Sequence, residues 1–89
     1  MLKIELVPDL SQCIKTVARR KHAELSQRLL GSEAGNMETE DKLEILRLFL
    51  ETADFRKLRS ESEKRFMEGR KVKFVVYLDN DVKYKMQVT

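Results

Sequence analysis

The sequence has no tryptophan, one cysteine, one proline, one histidine and three glycines. A single cysteine closes no disulfide within the chain, and no Cys/His spacing has the form of a zinc site. A reducing, cytoplasmic setting without a secretory leader is therefore the expectation. Three glycines leave little with which to build a phosphate-cradling loop, and neither G-x-x-x-x-G-K-[ST] nor G-x-G-x-x-G occurs. H-E-x-x-H and G-x-S-x-G are absent as well. The longest apolar run is the five residues from Phe74 to Leu78, where a membrane helix needs about 20. No membrane, metal or cofactor is expected, and a catalytic role is disfavoured.

Charge, in contrast, is abundant: 18 Lys and Arg against 15 Asp and Glu, for a net of +3. The small sum hides an uneven distribution. Residues 9–30 carry +3, residues 31–41 carry −4, residues 42–69 carry +1, and residues 70–89 carry +3. Twenty-six of the 89 residues are Leu, Ile, Val or Phe, too many for a disordered segment. The length suits one modest core, so residues 1–89 are read as a single small domain.

Periodicity sets out the elements. Leu2, Ile4 and Leu6 alternate with Lys3 and Glu5 as far as Pro8, which predicts a half-buried strand over residues 2–7. Asp9 followed by Gln12 resembles a capping box. Leu10, Ile14, Val17, Ala18, Leu25 and Leu29 then recur at helical spacing up to Gly31, predicting a helix over 9–30. Residues 31–38 read as a loop, and Thr39 with Glu40 and Asp41 reads as a helix start. Helical character runs from there to residue 68.

Within that stretch the apolar face turns by about half a revolution at 100° per residue, between Leu43–Ala53 and Phe55–Phe66. Either the helix breaks near residues 52–54, with Thr52 or Asp54 capping a new start, or one long helix buries opposite faces at its two ends. A break is the favoured reading. The other arrangement needs a second chain to cover its outer face, and the candidate interaction face is Leu48, Phe55, Leu58 and Phe66.

The last twenty residues alternate again, predicting a hairpin of strands 71–78 and 82–88. A three-residue loop, 79–81, sets Leu78 opposite Val82, Val76 opposite Tyr84 and Phe74 opposite Met86, which keeps one face apolar. The predicted fold is α+β in the order β-α-α-(α)-β-β, a three-stranded, mainly antiparallel sheet with two or three helices on one face.

The far face of that hairpin gathers Lys71, Lys73, Tyr77, Lys83 and Lys85, a cationic surface with one aromatic. Single-stranded nucleic-acid platforms use this chemistry, though usually with several aromatics. Cys13 and His22 are the one nucleophile–imidazole pair to consider. Nine residues apart on a helix, they point to opposite sides and cannot act together within the chain. Cys13 is expected in the core beside Leu10 and Val17, and His22 on the solvated side. The function expected from the sequence is a non-catalytic protein-interaction module that self-associates or binds a protein partner. Nucleic-acid binding through the basic hairpin face is the alternative.

Overall fold

A computed structural model describes residues 2–89 of the chain. The alternating start forms strand β1 over Lys3–Leu6, with Ile4 and Leu6 buried. Pro8 lacks an N–H for a sheet ladder and stops the strand.

The first helix, α1, begins later than the spacing predicts and spans Ile14–Leu30. Asp9 does not cap it. Asp9 Oδ1 instead accepts the backbone N–H of Ser11 (2.8 Å), the Ser11 hydroxyl (2.7 Å) and the N–H of Gln12 (2.8 Å). These bonds close a local turn over residues 9–12, the arrangement by which Asp side chains compete with helix formation. Cys13 becomes the N-cap residue, with extended backbone and no capping hydrogen bond from its side chain. Ile14, Ala18 and Leu25 form the buried stripe of α1, while Leu10 is left 79% exposed. Gly31 ends the helix as expected.

Helix α2 spans Met37–Thr52 and starts two residues before the expected cap. Asn36 Oδ1 accepts the N–H of Thr39 at 3.1 Å. Thr39 is itself buried, and its hydroxyl donates to Glu33 Oε2 at 2.9 Å. The break predicted at residues 52–54 is present: Ala53 is extended, and Asp54 caps a third helix, α3, over Phe55–Met67. Asp54 Oδ1 accepts the N–H of Lys57 at 3.2 Å. The change of direction resolves the reversal of apolar phase, because the two helices now turn their different faces to one core. Asp54→Ala is therefore expected to lower stability by about 0.5–2 kcal/mol, measured by urea denaturation; an unchanged midpoint would show that the break does not depend on this cap.

Gly69, at φ +77, reverses the chain after α3. The N–H of Arg70 bonds back to the carbonyl of Arg65 at 2.9 Å, a left-handed helix end that glycine favours. Strand β2 (Val72–Asp79) and strand β3 (Asp81–Val88) follow. The sheet order is β1-β2-β3, antiparallel throughout. Phe74 faces Met86, Val76 faces Tyr84 and Leu78 faces Val82, the register expected. The ladder closes one step further, at Asp79 opposite Asp81, with Asn80 alone at the tip at φ +63. Asn tolerates that left-handed conformation better than most residues. All three helices pack on the sheet face carrying Ile4, Leu6, Phe74 and Val76, and Phe49 of α2 sits at the centre of the core. Its ring meets those of Phe55 and Tyr84 edge-on, at 5.4 and 6.0 Å.

Candidate functional site

The late start of α1 leaves the β1–α1 connection on the outside of the core. Pro8 is buried and anchors it, while Val7 on one side is 62% exposed and Leu10 on the other 79%. The end of α3 lies alongside. Phe66 is half-buried against the core, and Met67 is 86% exposed. Between the two segments runs an open, mainly apolar groove lined by Val7, Pro8, Leu10, Phe66, Arg70 and Lys71. A second hollow continues from Leu10 and Phe66 past Met67 to Cys13 and Arg59. Isolated exposed apolar side chains are ordinary on a protein surface; a set bordering one concavity is not.

The charges around the groove are unequally matched. Asp9 is engaged by its own turn, and the Ser11 hydroxyl with the N–H groups of Ser11 and Gln12 holds its carboxyl below the usual range. Glu63 pairs with Arg59 at 3.0 Å, and Glu68 with Arg65 at 3.5 Å. Among the described residues Arg70 and Lys71 join no ion pair, so the rim of the groove is net cationic.

The sequence-predicted interaction face fares unevenly. Leu58 is wholly buried within the chain, which removes it from any contact surface. Phe55 packs on Phe49 and the core, and Leu48 is half-buried on α2. Phe66 alone of the four reaches the groove. The reason lies at Asp54: once the helix breaks there, α3 swings its apolar side onto the same core as α2, and no second chain is needed to cover it.

Cys13 is corrected from core residue to half-exposed helix cap. Its Sγ lies 3.3 Å from the hydroxyl of Thr16. That hydroxyl, the Thr16 N–H and the nearby Arg59 charge push the thiol pKa down. A lowered pKa enlarges the thiolate fraction below the titration midpoint of an ordinary cysteine. Cys13 is thus expected to react with a disulfide reagent with a midpoint at lower pH than free cysteine, and Thr16→Val to move that midpoint up. Coincident pH profiles for the two proteins would refute the hydroxyl's role. His22 lies half-buried more than two turns along α1, so the one thiol and the one imidazole remain apart.

On the opposite side of the sheet, the register brings most of the predicted basic face together. Tyr77 lies between Lys3 and Lys83, Val75 between Glu5 and Lys85, and Lys73 opposite Gln87. Lys85 Nζ sits 5.6 Å from the centre of the Tyr77 ring. Two of the lysines are matched, Lys73 by Glu5 at 3.4 Å and Lys83 by Asp79 at 3.6 Å. Lys71 falls just outside β2, exchanges backbone hydrogen bonds with Thr89, and contributes to the groove.

Sequence reading missed Val7, Leu10 and Met67. A signal for Leu10 was present at Asp9, since an Asp side chain readily accepts the backbone N–H two residues on and closes a turn. Leu10 also fits the helical phase of Ile14, so periodicity alone could not separate the two outcomes. No helix is long and apolar enough to cross a membrane, among the described residues. A protein-family model matches residues 2–87 of the chain. No curated protein and no solved structure matches it.

Proposed function

The chain belongs to the family matched across residues 2–87, and we propose that this domain is a non-catalytic protein-interaction module whose docking surface is the groove between the β1–α1 connection and the end of α3. One observation carries the reading. Val7, Leu10 and Met67, exposed at 62%, 79% and 86%, border two adjoining hollows that share Leu10 and Phe66, a cation-rimmed surface that the chain's own core does not use.

Full burial of each such side chain is worth about 1.5–3 kcal/mol. Three of them do not comfortably exceed an association cost of about 4–15 kcal/mol. An occupant must therefore add polar contacts at the rim, which Arg70 and Lys71 can supply as donors to carboxylates. The expected complexes are weak and reversible, as small interfaces usually are.

Selection of a displayed random-peptide library against the protein tests this reading. Peptides that bind the unchanged domain and fail on Leu10→Ser/Met67→Ser are expected. Because both residues are exposed, the double variant should keep its thermal midpoint. Recovery of peptides indifferent to those two substitutions would overturn the reading.

The basic sheet face supports a second reading, nucleic-acid binding, through the placement of Tyr77 between Lys3 and Lys83 with Lys85 beside its ring. Against it, Glu5 and Asp79 already match two of the lysines, and one aromatic offers little stacking area. Fluorescence anisotropy with single-stranded RNA and DNA discriminates. Affinity that falls steeply with salt and is lost in Lys83→Glu/Lys85→Glu supports this reading, and flat titrations at low salt eliminate it.

A further inference from the structure

The groove has a counterpart at the opposite end of α1. Helix α1 has seventeen residues from Ile14 to Leu30, and the rise between its first and last residue is about 24 Å. The groove lies at the N-terminal end of that span, and the α1–α2 connection lies at the other. Leu30, the last residue of α1, is 88% exposed, and Met37, the first residue of α2, is 74% exposed. Neither side chain contributes to the core.

Charge separates the two ends. Residues 31–41 contain Glu33, Glu38, Glu40 and Asp41 and no Lys or Arg. Glu33 accepts a hydrogen bond from Thr39, and Glu38 pairs with Lys42 at 3.4 Å. Glu40 and Asp41 join no ion pair among the described residues. At the groove end the lining carries Arg59, Arg70 and Lys71 against Asp9 and Glu63; Arg59 and Glu63 pair with each other, and Arg70 and Lys71 join no ion pair among the described residues. Each end thus combines exposed apolar side chains with unsatisfied charge, and the signs are opposite.

We propose that the groove receives the α1–α2 end of a second copy of this chain, with Leu30 and Met37 against Leu10 and Met67, and Glu40 and Asp41 facing Arg70 and Lys71. This rests on the reading of the groove as a docking surface and names its occupant. The two ends of one chain stand too far apart to satisfy each other. A two-fold dimer through either end would set like charges together, which costs free energy in any desolvated contact. Head-to-tail contact is the arrangement that pairs opposite charges. It leaves one free groove and one free acidic end, so association continues into open chains or closes into a ring.

Sedimentation velocity on the full chain, with two variants, tests the proposal. The unchanged protein is expected to exceed the mass of a dimer at millimolar concentration and low salt, and to lose mass as salt rises. Leu10→Ser/Met67→Ser inactivates the groove, and Leu30→Ser/Met37→Ser inactivates the other end. All four residues are exposed, so both variants should fold, which circular dichroism checks. Each variant alone should sediment near the 10.5 kDa monomer mass. Mixed in equal amounts, they retain one competent groove and one competent end, and the mass should double and stop there. A monomeric unchanged protein, or a mixture that stays monomeric, would overturn the proposal. If peptides dependent on Leu10 and Met67 are nevertheless recovered, the groove keeps its docking role and only the second copy is excluded. If none is recovered, both fail.

Discussion

Phe49→Ala is expected to lower the stability of the domain by about 3–5 kcal/mol. Phe49 is 1% exposed and stands where α2 meets both α3 and the sheet. Its ring contacts Phe55 and Tyr84 edge-on, so the truncation removes two aromatic contacts as well as buried area. A domain of this length has a total stability of about 4–13 kcal/mol, and the loss is a large part of it. In urea, the midpoint should fall by about 2 M or more for a small domain. A shift under about 0.5 M would mean that the helices pack on the sheet less closely than the ring geometry indicates.

Leu58→Ala has the second-largest expected effect, a loss of about 2–5 kcal/mol. Leu58 has no exposed surface, and it belongs to the helix whose apolar phase is reversed relative to α2. If α3 covers the domain's own core, the loss appears at every protein concentration. If Leu58 instead contacted a second chain, the cost would shrink on dilution, because the unchanged protein would lose the same contact. Denaturation curves at two concentrations separate these outcomes, and superimposable differences between variant and parent are expected.

These two residues mark what the sequence made legible. The reversal of phase between Ala53 and Phe55 located the break, and the period of two after residue 70 located the hairpin. Its register followed from keeping Phe74, Val76 and Leu78 on the face of Met86, Tyr84 and Val82. These are repeating patterns, and only one arrangement puts each on a core. The start of α1 offers no such redundancy. Asp9 can cap a helix or close a turn onto Ser11 and Gln12 with the same oxygen. Leu10 satisfies the helical phase in either case. In the structure the turn prevails, just after Pro8, which is buried where the chain leaves the sheet.

The proposed docking surface was illegible for the same reason. Val7 and Met67 lie at the ends of elements and Leu10 in the connection between β1 and α1, where a shift of one turn exchanges core for solvent. The sequence did carry half of the account: its acidic connector and basic C-terminal stretch were apparent from charge alone. That the two lie at opposite ends of α1, each beside bare apolar side chains, is a property of the fold.

Methyl NMR tests the central claim, that the groove is where this domain docks, most directly. The occupant is a second copy reached by raising the concentration, or a selected peptide added to dilute protein. The account predicts that the methyl signals of Val7, Leu10 and Met67 shift or broaden first, while those of Leu58 and Val76 in the core stay in place. Shifts confined to Leu48 and the strands of the hairpin, with the groove signals unmoved, would contradict it.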